Sequence, residues 1–395
     1  MTRYKAVITV LLTLILLLTA STAVMFFARG YQFDVNDRNL KQTGILSLNS
    51  TPTGALIYIN DVPQDVTDNS ITGLKEATYT VRLEKSGYHT WTKDVQIVSG
   101  EVNQVHALLI SSFPEIKPLT ITGAQSPTMS PDRQRMIYSV NTENAQNQDG
   151  EQQKGLWVLD LAGRPFNILN RPNLLIADTD RFKYSQGNLT WSADSQSVLI
   201  KIDDVTYFLI DIQSKDTTQL VAKDVNELLA KWDDEQKQND ELLRERFSTE
   251  VQALLPSTSS VISWSPDQTK ILFSEENDQK IVYKIIDLNP KEYTDLAKSA
   301  DGVKTYTVHE KEKDNAGYIT WYPDSKHVLV FEPTSADDTG QVSIMEIEGT
   351  NKISIYSGKV LGGLVYPHPD GSRVIIQTNF TDDSSQSNLY SVSVY

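Results

Sequence analysis

Hydrophobic positions in this chain follow two rhythms. Residues 6–28 are a run of 23 without a charge, containing Val10-Leu11-Leu12 and Leu14-Ile15-Leu16-Leu17-Leu18. At roughly 1.5 Å per residue this predicts about 35 Å of helix, enough to cross a hydrocarbon core of about 30 Å. Arg3 and Lys5 precede the run, so the positive-inside rule keeps the N-terminus cytoplasmic and the remaining chain outside, extracellular or periplasmic. The alternative is a cleaved leader with Ser21-Thr22-Ala23 at the cut. Against it, Val24-Met25-Phe26-Phe27 carries the apolar run past that point. Residues 1–29 therefore read as a cytoplasmic stub and a single membrane anchor. Residues 30–43, polar and without sustained period, read as a linker.

Beyond the linker the rhythm shortens to strands. Ile45-Leu46-Ser47-Leu48, Leu56-Ile57-Tyr58-Ile59, the alternation of Tyr79, Val81 and Leu83 with Thr80, Arg82 and Glu84, residues 94–98 and residues 102–110 predict about 70 residues of β-structure. That suits a small sandwich over 44–111. Turn residues separate the strands, as in Pro52-Thr53-Gly54-Ala55, Asn60-Asp61 and Gly87-Tyr88. On these residues the stretch resembles the PEGA domain family, with Thr53 in the place of the family's glutamate. The resemblance implies a surface-exposed binding or spacer module.

From residue 112 to 395 a unit recurs five times: Met129-Ser130-Pro131-Asp132, Trp191-Ser192-Ala193-Asp194, Trp264-Ser265-Pro266-Asp267, Trp321-Tyr322-Pro323-Asp324 and Pro367-His368-Pro369-Asp370. An apolar strand follows each copy and a second strand comes later, as in residues 156–160 and 207–211. The aromatic supplies area to bury between neighbouring sheets, Pro presets one backbone angle, and Asp bonds its own backbone two residues on. A single such sheet cannot hide both faces, so radial stacking is the natural solution. The repeat resembles the TolB-like β-propeller family, whose turn reads Trp-Ser-Pro-Asp-Gly. The glycine survives only as Gly371, with Arg133, Ser195, Gln268 and Ser325 in the other four copies.

The expected fold is all-β: an anchor helix, a PEGA-like sandwich and a propeller. Residues 115–121 read as an outer strand that completes the C-terminal blade. The count is then five blades, or six if residues 171–186 form a degenerate one.

Residues 222–255 break the β pattern. Val225, Leu228, Leu229, Trp232, Leu242, Leu243, Phe247, Val251 and Leu254 recur at helical steps, with nine acids and five bases on the polar side. One amphipathic helix, or a hairpin broken near 236–240, fits the spacing. Its stripe either packs on the propeller or serves a docking partner, with Trp232 and Phe247 as anchors.

Composition narrows the function. With no cysteine, disulfides, thiolate metal sites, lipid attachment through Cys and cysteine nucleophiles are excluded. A net charge of −15 argues against nucleic-acid binding, which needs clustered Lys and Arg. The chain has no Gly-x-Ser-x-Gly elbow, and His309-Glu310 lacks the second His of a zincin helix. The polar loop 141–150 lacks the alternate acids of a calcium loop. No cofactor is expected. The reading is a non-catalytic surface protein that recognises an envelope protein or polysaccharide. The alternative is a glycosidase or lyase using carboxylates such as Asp178, Asp180, Asp203 and Asp204.

Overall fold

The computed structural model describes residues 2–28, 31–34, 39–141, 154–161, 172–257, 260–288, 302–313, 317–335, 337–380 and 387–395. The loop 141–150 and residue 171 lie, apart from Asn141, outside them. Two compact units divide the chain: one holds residues 1–113 with Tyr395, the other residues 114–394.

In the first unit, helix α1 runs Thr2–Ala28. Side chains are described without interruption over its residues 8–22, about 22 Å of helix. Among the described residues no helix is long and apolar enough to cross a membrane. The crossing expected over 6–28 is therefore not carried by the described residues. The expected linker is structured: Tyr31–Asp34 and Asn39–Gln42 pair as an antiparallel hairpin, with Tyr31 opposite Gln42. Short strands of mixed polarity have no alternation to betray them, which is why the sequence read as a linker.

Two sheets follow. One orders Val62–Val66, Leu56–Ile59, Ala77–Glu84 and Trp91–Ile97; the other orders Asn69–Leu74, Gly44–Thr51 and Val102–Leu108. Gly44–Thr51 and Val102–Leu108 run parallel. Alternation puts Leu46 and Leu48 of one sheet against Ile57, Val81, Leu83 and Trp91 of the other in one core. The Pro52 turn is held from both sides. Gly54 has φ 79°, its N–H donates to the Thr67 carbonyl at 2.9 Å, and the N–H of buried Ala55 donates to Thr67 Oγ1 at 2.9 Å. Asn60 and Asp61 both have positive φ, the backbone that a two-residue hairpin loop of type I′ requires. Gly87 lies at φ 84°, and Tyr88 packs on the core.

The second unit contains five four-stranded antiparallel sheets among the described residues. The first orders Gln125–Met129, Arg135–Val140, Gly155–Asp160 and Asn173–Ala177. The second orders Asn188–Trp191, Ser197–Lys201, Tyr207–Asp211 and Thr217–Leu220. The third orders Val261–Trp264, Lys270–Glu276, Lys280–Asp287 and Lys304–Glu312. The fourth orders Tyr318–Trp321, His327–Pro333, Thr339–Glu346 and Ile353–Lys359. The fifth orders Val365–Pro367, Arg373–Thr378, Asn388–Ser393 and, out of chain order, Ile116–Pro118. Ile116 lies opposite Val392 and Pro118 opposite Tyr390, so the first strand of the unit completes its last sheet. The described part of 171–186 supplies the outer strand of the first sheet and a 3₁₀ turn over Tyr184–Gln186.

Packing and hydrogen bonding join the first sheet to the second, the third to the fourth, the fourth to the fifth and the fifth to the first. Ile137 and Leu156 of the first sheet join Val198, Ile200, Phe208 and Ile210 of the second. Leu272 and Ile285 of the third join Val328 and Val330 of the fourth. Ile375 and Leu389 of the fifth join Met136 and Tyr138 of the first, and the Tyr322 hydroxyl donates to the Gly371 carbonyl between the fourth and fifth. This succession is the propeller arrangement, with residues Phe247 and Val251, between the second and third sheets in sequence, packed on the third.

Helices α2 (Ala222–Glu245) and α3 (Thr249–Gln252) lie between the second and third sheets in sequence. α2 is continuous through 236–240, where a break was one expectation. Three ion pairs at i, i+4 support it there: Lys231–Glu235, Lys237–Asp233 and Arg244–Asp240. The turn comes at residues 246–248, where the Ser248 side chain caps α3 by accepting the Val251 N–H.

Candidate functional site

All five repeat turns share one device. The Oδ1 of Asp132, Asp194, Asp267, Asp324 and Asp370 accepts the backbone N–H two residues on, at 2.8–3.0 Å. In three turns the preceding Ser130, Ser192 or Ser265 donates its hydroxyl to the same oxygen. The residue after each Asp is left-handed: φ is 59° at Arg133, 60° at Ser195, 59° at Gln268, 61° at Ser325 and 72° at Gly371.

Aromatic residues at the first position of the repeat, or just before it in the fifth copy, tie sheets together. Trp191 Nε1 donates to the Thr128 carbonyl at 3.4 Å, Trp321 Nε1 to the Ser263 carbonyl at 3.2 Å, and the Tyr366 hydroxyl to the Pro127 carbonyl at 2.7 Å. Trp264 differs: its Nε1 donates to Asp240 of α2 at 2.7 Å. Phe247 stacks on Trp264, with ring planes 10° apart. Phe247 and Val251 cover the third-sheet face formed by Ile271, Phe273, Ile286 and Leu288. Phe247 is only 4% exposed, so it anchors the insertion to its own unit and is not presented to a partner. Trp232, the other expected anchor, is half-buried on α2, and Leu242 and Leu254 of the same apolar set are exposed.

A cavity of about 460 Å³ opens where the innermost strands converge. The first strands of the first, third, fourth and fifth sheets line it, contributing Thr128, Ile262, Tyr318 and Val365 among others, and the first repeat turn adds Pro131 and Arg133. Three lining carbonyls, those of Pro127, Thr128 and Ser263, already accept the aromatic donors described above. The Arg133 N–H is likewise satisfied by the Ser130 carbonyl at 2.8 Å. One guanidinium nitrogen is not: Nη1 is buried and has no hydrogen-bond partner among the described residues. Burial lowers the guanidinium's pKa from its ordinary value, and Tyr318 opposes that shift. Burial also pushes the Tyr366 phenol well above its usual range.

The remaining chemistry-bearing residues have structural partners. Asp178 accepts the N–H and hydroxyl of Ser185 at 2.9 and 2.6 Å. Asp203 accepts the N–H groups of Val205 and Thr206, and Asp204 pairs with Lys201 at 2.9 Å. Buried Lys270 lies 3.5 Å from Asp267 and 3.9 Å from Asp287. His327 Nδ1 is 2.7 Å from Asp324. Among the described residues no group of three or more His, Asp or Glu is placed to hold a metal ion. Sequence reasoning marked Arg133 only as a missing glycine; a long cationic side chain at a left-handed position was the available signal.

Curated proteins offer no match in sequence. Among solved structures the chain is similar to TolB from Acinetobacter baumannii, 13% identical with a TM-score of 0.25, covering 80% of this chain and 59% of that one. A putative TolB from Agrobacterium tumefaciens is 13% identical with a TM-score of 0.24, covering 87% and 99%. Oligogalacturonate lyase from Vibrio parahaemolyticus is 8% identical with a TM-score of 0.29, covering 72% and 94%. The propeller assignment stands on the sheet order and packing given above. Residues 43–110 match the PEGA domain family, and the first unit of this chain therefore contains a PEGA domain.

Proposed function

We propose that this protein is a non-catalytic recognition protein of the cell envelope. Its N-terminal helix anchors it in the membrane, the PEGA domain serves as a spacer, and a five-bladed TolB-like head binds an envelope protein or polysaccharide through the cavity. The observation that carries the reading is Arg133 on the lining of that cavity, with a buried Nη1 that meets no partner among the described residues. Arginine stays protonated across the biological range, so it holds a ligand and does not shuttle protons. Three of the acids singled out for glycoside chemistry, Asp178, Asp203 and Asp204, hold turns and neighbouring side chains instead, which supports binding over hydrolysis. The uncharged run 6–28 inside α1, with Arg3 and Lys5 before it, supports anchoring with the bulk outside.

The test is affinity capture from detergent-solubilised envelope. The baits are residues 30–395 with the native cavity and the same chain carrying Ile262→Trp. Ile262 is 43% exposed on the cavity lining, so the larger ring enters the cavity without disturbing the core. A partner held by the first bait and lost by the second supports the reading. Equal capture by both would remove the cavity from it.

A further inference from the structure

Arg133 stands apart from its four equivalents. Ser195 Oγ accepts the Asp132 N–H at 3.0 Å and Ser325 Oγ accepts the Asp267 N–H at 3.0 Å, each tying its turn to the turn of the preceding sheet. Gln268 Oε1 accepts Arg246 Nη1 at 3.2 Å, tying its turn to the helical insertion. Gly371 carries no side chain, and its carbonyl accepts the Tyr322 hydroxyl. In each of these turns the left-handed position makes a bond within the fold. Arg133 has the same strained backbone, with φ 59°, and lines the cavity, while its Nη1, closed off from solvent, meets no partner among the described residues. A buried donor left unmatched is unfavourable unless something else matches it.

We infer that the cavity binds the C-terminal carboxylate of a partner polypeptide that ends in an apolar residue, with the carboxylate on Arg133. This rests on the recognition reading above and names its ligand. A planar guanidinium fits a carboxylate through two parallel hydrogen bonds. Arg133 is the one cation among the described lining residues of a chain with net charge −15, an arrangement that matches one negative charge and repels a polyanion. Around it, Met129, Ile262, Leu364 and Val365 give the cavity apolar walls for a terminal side chain. The strands that line it are edge strands of their sheets. Half of an edge strand's backbone polar groups point away from the ladder. The carbonyls of Pro127, Thr128 and Ser263 are taken by aromatic donors; a peptide has amides to meet others along these strands, and an acyl chain has none. A volume of about 460 Å³ lies within the range of pockets that enclose small ligands, roughly 300–1,000 Å³.

The experiment is calorimetric titration of the full chain in detergent micelles with N-acetylated tetrapeptides ending in Leu, Ile, Val or Phe. Each peptide is used as the free acid and as the C-terminal amide, with octanoate and glucuronate as the other carboxylates. At least one free acid should bind, with its amide weaker by roughly 10- to 100-fold, the range for a charged hydrogen bond. Arg133→Gly should weaken the acid by the same factor and leave the amide unchanged, while Arg133→Lys should fall between. Glycine suits the left-handed turn, so the thermal midpoint of Arg133→Gly should match or exceed the parent's, separating lost binding from lost folding. Equal binding of acid and amide, or binding of no peptide, overturns the inference. So does Arg133-dependent binding of octanoate or glucuronate in place of the peptides. Should a captured envelope partner be lost on Ile262→Trp while acid and amide peptides behave alike, the recognition reading stands and the carboxylate assignment falls.

Discussion

Ser195 and Ser325 occupy a backbone region that costs an L-residue about 1–2 kcal/mol, and each offsets that cost by accepting an N–H from the turn of the sheet before it. Ser195→Ala retains the strain and strands the Asp132 N–H, so it should destabilise the chain by about 1–2 kcal/mol. Ser195→Gly loses the same acceptor but relieves the backbone, and should come out near neutral. Denaturant titration of the two variants separates these contributions; identical losses would refute the strain argument. The turn aspartates set the response to acid. Hydrogen bonds from Ser192 and the Gln196 N–H hold Asp194 below its usual range. At Asp267, Asp324 and Asp370 burial pushes the carboxyl up, but Ser265 and Lys270, His327, and His368 and Ser372 respectively win and hold it low. Each folded pKa lies below the unfolded value of about 3.9. The unfolded chain therefore takes up more protons as pH falls, and the stabilisation present above about pH 4 drains away below it. Thermal midpoints measured from pH 6 to pH 2.5 should be flat at first and drop below pH 4. Replacing Asp194 with Asn should shrink the drop.

The helical insertion was legible in part. Its three- and four-residue spacing is a local property, and α2 and α3 form where that spacing occurs. Of the two alternatives, one helix or a hairpin broken near 236–240, the break does not occur there: α2 runs through, with polar residues held by i, i+4 ion pairs. Nothing in the sequence said which of the apolar residues face inward. Phe247 packs on the third sheet beside Trp264, whereas Leu242 is 63% exposed. Phe247→Ala should destabilise the chain by about 3–5 kcal/mol, and Leu242→Ala should stay within about 0.5 kcal/mol. Equal effects in thermal unfolding would show that the insertion is not part of the packed unit. Removing the whole of 222–255 would uncover Ile271, Phe273, Ile286 and Leu288, so that deletion reports on folding before it reports on binding.

At the scale of the molecule, closure of the second unit depends on chain ends that meet. Ile116–Pro118 pairs with Asn388–Ser393. Thr120 Oγ1 donates to Asn388 Oδ1 at 3.0 Å and accepts the Leu389 N–H at 2.9 Å, and the Glu115 N–H donates to Ser393 Oγ across 278 residues. Such a contact forms only after the rest of the unit has brought the ends together. A chain lacking residues 114–120 should unfold at a lower temperature and with a broader transition than the parent. An unchanged scan would mean that the strand adds nothing to closure.

The sequence by itself determined what is local. Alternation of apolar and polar residues set the strands, Pro-Asp turns set their connections, and five copies of one motif declared that the sheets repeat, because period and turn chemistry act over a few residues. It also placed Arg133, Ser195, Gln268 and Ser325 at the glycine position of the turn. Only the tertiary structure decided what those four side chains do, since the partners of Ser195, Ser325 and Gln268 lie on the turns of other sheets or in the turn after α2, and Arg133 Nη1 has none among the described residues. The same holds for Trp264, whose indole meets Asp240 where Trp191 and Trp321 meet a neighbouring inner strand. A hydrogen bond or an apolar contact is decided by which distant residues packing brings within a few ångströms, and no local spacing encodes that.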